Sequence, residues 1–193
     1  MNMAYLPRDI LLKQGFAALG ANVLISERAT LYGVERIRLG NNVRIDDFCV
    51  LSAGEGGIEI GNYVHVAVFS SLIGGGRITL SDFSGLSSRV TIYSSNDDYS
   101  GNAMTNPTVP PEFTSVQHAD VFLGRHVIVG SGSVILPGAV LEEGVAVGAL
   151  ALVKGRCEAF GIYAGYPAKR IKSRSRRLLE IEKEFLSRQE AGN

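Results

Sequence analysis

Tryptophan is absent, and the 193 residues include only two cysteines and three histidines. Cys49 and Cys157 are too few for a disulfide framework, so a reducing compartment is the simplest expectation. Neither sign of charge dominates. Nineteen basic side chains meet nineteen acidic ones, for a formal net charge of zero. That balance points to neither nucleic acid nor an anionic membrane as a partner. No run of about 18 apolar residues occurs, so no segment is expected to span a bilayer. The N-terminus has no apolar stretch ahead of a small-residue cleavage site. A cytoplasmic location is therefore expected.

What the chain does have is a six-residue beat. Leu123, Val129, Ile135, Leu141, Val147 and Val153 place an aliphatic side chain at every sixth position. A second track of small or branched residues runs beside it at Val127, Ser133, Ala139, Val145 and Ala151. The same beat appears earlier at Ile25 and Leu31, at Leu39, Ile45 and Leu51, at Ile60, Val66 and Leu72, and at Leu80, Leu86 and Ile92. A short fixed period signals stacked coils that bury their apolar edges on one another. Gly, Asn, Asp or Ser after the aliphatic residue predicts short strands joined by tight corners, three strands to a triangular turn. A β-sandwich would space its turns roughly 8–12 residues apart. The fold class expected is therefore all-β, a parallel β-helix. Cys49 falls on an inward track and is expected in the core.

One domain is expected over 1–193. Residues 1–20 should hold a short helix, with Pro7 near its start and Ile10, Leu11 and Leu12 apolar. Residues 21–155 should form the β-helix, with small bulges at Gly54–Gly57 and Gly74–Arg77 where glycines let the chain leave and return. The beat fails over 96–119, which contains Asp97, Asp98, Tyr99, Pro107, Pro110, Pro111 and His118. A long ordered loop in a compact domain usually carries function. Residues 156–193 form a final segment. It contains Ala164-Gly165-Tyr166-Pro167-Ala168-Lys169-Arg170, followed by a helix expected from about Ser173 to Gln189 with Leu178, Ile181 and Phe185 on one face.

Aliphatic hexads, one long loop after the middle coils and the final Ala-Gly-x-Pro-Ala-Lys element resemble the hexapeptide-repeat acyltransferases. The runs Gly40-Asn41-Asn42-Val43-Arg44-Ile45-Asp46-Asp47-Phe48-Cys49 and Asp97-Asp98-Tyr99-Ser100-Gly101-Asn102 are similar to those of its nucleotide-linked amino-sugar N-acyltransferase branch, which includes anthrose-pathway and viosamine-forming members. The resemblance implies a left-handed β-helix and a homotrimer with sites between subunits. It also implies acetyl-CoA or another acyl-CoA as co-substrate, and a nucleotide-linked amino sugar such as dTDP-4-amino-4,6-dideoxyglucose as acceptor. Bacterial surface polysaccharide (O-antigen) synthesis is the implied setting.

In O-acetylating relatives a histidine near the start of the loop deprotonates a hydroxyl, which is a poor nucleophile without a base. Here Asn96-Asp97-Asp98 stands in its place. An amine needs only its ammonium proton removed, and a carboxylate can orient it and take that proton. Asp97 is thus the expected catalytic group, with His65 a second candidate that faces outward between Val64 and Val66. Asp98, Tyr99 and His118 are expected to contact the sugar; Asp98 reads equally as a loop brace, since Asp commonly caps turns. The resemblance places the pantetheine arm along Gly130, Ser131, Ala149 and Lys154, with the adenine and phosphates near Pro167, Lys169 and Arg170. An oxyanion would be met by a coil N–H. The competing reading is a sugar O-acetyltransferase with His65 or His118 as base. A noncatalytic β-helix scaffold would need neither the Asp-Asp loop nor the tail. No metal is expected: His118 and His126 lie eight apart, whereas the zinc-binding members of this fold place a pair five apart on one coil.

Overall fold

A computed structural model describes residues 5–191; positions 1–4 and 192–193, where the expected terminal segments end, lie outside the described residues. The hexad beat becomes three parallel sheets wrapped as the faces of a left-handed triangular prism of about seven turns. The first face stacks Ala18–Leu19, Ile37–Leu39, Ile58–Ile60, Ile78–Leu80, Val121–Leu123, Val140–Leu141 and Arg156–Cys157. The second stacks Leu24–Ile25, Arg44–Ile45, His65–Val66, Gly85–Leu86, Ile128–Val129, Ala146–Val147 and Gly161–Ala164. The third stacks Thr30–Tyr32, Val50–Ala53, Ser71–Gly74, Thr91–Tyr93, Val134–Ile135 and Leu152–Val153.

Alternation along each strand sends one residue inward and the next out. Parallel pairing then stacks like on like. On the first face Ile60, Leu80, Leu123 and Leu141 form one column, and on the second Ile45, Val66, Leu86, Val129 and Val147 form another. All of these are buried, as is Cys49. The core is thus a stack of aliphatic layers, and one wrong layer disturbs both neighbours.

The corners explain the Gly-Asn dipeptides. The Asn41 side-chain oxygen accepts from the N–H of Ala21, Asn62 accepts from Asn41 and Asp82 accepts from Asn62, at 2.7–2.8 Å. Each side chain satisfies a corner N–H one coil below. Corners also demand left-handed backbone, and several bulky residues adopt it: Tyr63, Phe83 and His126 at one corner, Phe48, Phe69 and Arg89 at the next. Each such residue costs roughly 1–3 kcal/mol. The rings stack down the corners, with centroids 5.0 Å apart for Tyr63–Phe83 and 5.1 Å for Phe48–Phe69, which offsets about 0.5–1.5 kcal/mol per pair.

Three expectations need correction. Helix α1 spans only Arg8–Lys13, with Leu11 buried and Ile10 and Leu12 exposed. Lys169–Ser173 is a strand antiparallel to Gly161–Ala164, so helix α2 begins later than expected, at Arg177–Ala191. The docking face of α2 excludes Ile181, which is 56% exposed. It uses Phe185, edge-on to Tyr63 and Phe83, and Glu182, paired with Arg125 and lying 2.8 Å from His126 Nε2. His126, largely covered at its corner, thus anchors the helix. No helix among the described residues is long and apolar enough to cross a membrane.

Candidate active site

The 96–119 segment is built as a flap on a narrow neck. Ser95–Asn96 pairs antiparallel with Gln117–His118, which closes the loop just beyond the third-face strand Thr91–Tyr93. His118 Nδ1 lies 2.7 Å from Ser95 Oγ, and the ring packs where a side chain on Gly75 would stand. The third-face residues Ile73, Tyr93 and Leu136 and the loop residues Asp97, Tyr99 and His118 line a cleft of about 1030 Å³. The structure thus brings together three of the residues singled out from the sequence.

The two adjacent aspartates have different surroundings. Asp98 is tied into its own loop. One oxygen accepts from the Ser100 hydroxyl at 2.7 Å and the Ser100 N–H at 2.9 Å, and the other from the Ala103 N–H at 2.9 Å. These bonds, the Ser100 hydroxyl foremost, pull its carboxyl down to about 2. Asp97 is half-buried in the cleft wall and makes no hydrogen bond or ion pair among the described residues. A half-buried carboxylate with both oxygens uncommitted can accept from a ligand. Asp98→Ala should loosen the loop but leave the prism intact. Limited proteolysis should cut faster within 96–119 at an almost unchanged melting temperature; equal cutting rates would contradict the brace. Because the Asp98 carboxyl is depressed on folding, its brace is fully present above about pH 4, the ordinary carboxylate value, and is lost as pH falls toward 2.

His65 stands elsewhere. It projects from the second face, 48% exposed at its side chain, into a smaller cleft of about 320 Å³ shared with Gly85, Ser87, Ile128 and Ser131. A single copy of the chain therefore does not bring His65 and Asp97 into one cleft. The sequence reading missed the partner of His65: Asp46 Oδ2 lies 2.8 Å from its Nε2. Burial pushes the Asp46 carboxyl up, but hydrogen bonds from His65 and Arg44 outweigh it and hold the group below its ordinary value.

The positions matched to a carrier lie toward the C-terminal end of the prism. Gly130 packs against Ala149, and the Ser131 carbonyl accepts from the Leu150 N–H. The tail strap folds over the last third-face strand, where Leu152 N–H donates to Gly165 and Ala168 N–H to Leu152. This strap carries Pro167, after a cis peptide bond, and leads into the exposed Lys169 and Arg170; Lys154 is exposed just beyond Val153. No group of three or more His, Cys, Asp or Glu among the described residues is arranged to hold a metal ion.

Comparison with known proteins places this architecture. No family model matches the chain. The chain is 56% identical over 183 residues to a dTDP-4-amino-4,6-dideoxy-D-glucose acyltransferase of Escherichia coli, covering 95% of both. It superposes with a TM-score of 0.93 on AntD, an N-acyltransferase from Bacillus cereus in complex with dTDP and 3-hydroxybutyryl-CoA, at 44% identity over 98% of this chain and 100% of that one. A variant of AntD in complex with dTDP-4-amino-4,6-dideoxyglucose and coenzyme A is 43% identical, with a TM-score of 0.93 over 97% of this chain and 99% of that one. With a carboxylate and no histidine at the start of its flap, and with this likeness along nearly its whole length, the chain belongs to the N-acyltransferases of nucleotide-linked amino sugars.

Proposed function

We propose that this protein transfers an acyl group from acyl-CoA to the 4-amino group of a dTDP-4-amino-4,6-dideoxyhexose, most simply the glucose epimer. The observation that carries this reading is Asp97, a half-buried carboxylate with uncommitted oxygens at the loop position where a hydroxyl acceptor would need a histidine. Bound there, the sugar ammonium donates to Asp97, which orients it and takes one proton. The neutral amine attacks the thioester, a coil N–H meets the oxyanion, the C–S bond breaks, and the leaving CoA thiolate ends with the amine's second proton. Tyr99, 87% exposed at the cleft mouth, and His118 are placed to contact the sugar. Asp98 acts on the sugar only through the loop shape it holds.

The thioester reaches the site along Gly130, Ser131 and Ala149, with Lys154, Pro167, Lys169 and Arg170 toward the nucleotide end of CoA, where basic groups suit its phosphates. The relatives' complexes with dTDP, the amino sugar and CoA support the choice of the two substrates. We read the assembly as a homotrimer; in support, the Asp97 loop leaves one face and His65 projects from another, so copies packed face to face would join the two clefts. The enzyme would act in the cytoplasm, supplying an acylated sugar for surface polysaccharide.

Mass spectrometry of nucleotide sugars incubated with acetyl-CoA and 3-hydroxybutyryl-CoA tests the reading. One acyl group should appear on the 4-amino sugar and none on the matching 4-hydroxy sugar. Acylation of the hydroxy sugar alone would establish the O-acetyl chemistry instead.

A further inference from the structure

We propose that Asp46 is a positioning residue for the acyl transfer: it fixes the tautomer of His65 so that Nδ1 faces the reaction in the notch beside Gly85. This rests on the function proposed above. Asp46 is buried, and its two oxygens are divided, Oδ1 to Arg44 Nε at 2.7 Å and Oδ2 to His65 Nε2 at 2.8 Å. An ionised carboxylate only accepts hydrogen bonds. His65 must therefore donate through Nε2, and in the neutral ring the lone pair is left on Nδ1. Arg44, the strand neighbour of His65 one coil below, supplies the countercharge, and its guanidinium lies over the Tyr5 ring.

Gly85 is the independent observation. It is the strand neighbour of His65 one coil above. Glycine inside a strand weakens it and often marks close approach by a ligand. Every other described glycine that has open space around an added Cβ has a positive φ; Gly85 has the open space without it. Neither strain nor crowding in the single chain explains glycine there. What it provides is a gap beside the His65 ring, in a cleft that also holds Ser131, where the pantetheine arm is expected.

The chemistry balances. Attack by the neutral amine forms the C–N bond and leaves an N–H⁺ on the tetrahedral intermediate. His65 Nδ1 takes that proton, the oxyanion collapses, the C–S bond breaks and the thiolate takes the proton back from the imidazolium. The amide and free CoA thiol leave, and His65 is neutral again.

A double-mutant cycle tests the assignment on the intact enzyme with an amino-sugar nucleotide. Asp46→Asn should lower kcat by about 10–100-fold, the usual effect of removing an orienting partner, with KM nearly unchanged. His65→Gln should cost as much or more. In the His65→Gln background, Asp46→Asn should cost nothing further, because Asp46 acts through His65. Equal losses in both backgrounds, or an unchanged kcat, would overturn the proposal. Gly85→Val should keep or raise the melting temperature while lowering kcat/KM at least tenfold; undiminished activity would remove the notch. Should Asp46→Asn fail to fold, ¹⁵N-histidine NMR of the native enzyme decides: Nε2–H with bare Nδ1 is expected, and the opposite tautomer overturns the proposal. If the native enzyme acylates no amino-sugar nucleotide, the functional reading falls, whereas activity indifferent to Asp46 sinks only this inference.

Discussion

Asp97→Asn is expected to slow acylation of an amino-sugar nucleotide by roughly 10²–10⁴-fold, the usual contribution of a general base. The substitution keeps the size of the side chain and most of its hydrogen bonding. It removes the charge that holds an ammonium and the basicity that accepts its proton. Because Asp97 makes no hydrogen bond or ion pair within the described chain, the substitution breaks no contact there and the melting temperature should hold. CoA affinity should be nearly unchanged, since the positions proposed for the carrier lie on other coils and on the tail strap. The deficit should shrink as pH rises, because more of the amine is then already neutral. Stopped assays across a pH series, with CoA binding measured separately, check each part. His65→Ala should hurt less than Asp97→Asn. Near-native kcat for Asp97→Asn on an amino sugar would sink the mechanism, though not the fold.

Leu141→Asp should abolish folding. Leu141 is 0% exposed and sits in the first-face column between Leu123 and Cys157. A carboxylate there has a leucine on one side and a buried thiol on the other, with no cation beside it in the column, and an unpaired buried charge is not tolerated. A solenoid has no alternative layer to absorb the fault, since each coil rests only on its neighbours. Leu141→Ala should cost about 2–5 kcal/mol through the cavity it leaves. Circular dichroism and thermal melting of the purified variants provide the check. A soluble, assembled Leu141→Asp protein with a native melting temperature would mean that the inward track has been assigned to the wrong residues.

The prism and its flap were legible because their signals are local and repeated. Leu123, Val129, Ile135 and Leu141 recur at the spacing that brings the chain to the next face, and each is buried where that beat requires. The failure of the beat at 96–119 marked the flap equally well. The strand at Lys169–Ser173 was not legible, since its outward basic residues carry no alternation and its order comes from pairing with Gly161–Ala164. Ile181 misled because helical spacing defines a stripe but not which part of the stripe meets the prism. Phe185 and Glu182 make that contact because the Tyr63–Phe83–His126 corner offers rings and a histidine.

By itself, the sequence determined the coil, the inward columns, the corners and the replacement of a loop histidine by a carboxylate, all properties of residues within a few positions of one another. Tertiary structure alone decided which polar groups meet. Asp46 and His65 are 19 residues apart and His126 and Glu182 are 56 apart. Asp97 and Asp98 are adjacent in sequence, yet one is braced and the other left open. Aliphatic columns specify register through burial, which is nondirectional and repeats along the chain. Hydrogen bonds depend on which atom one coil turns toward the next, and no periodic pattern encodes that.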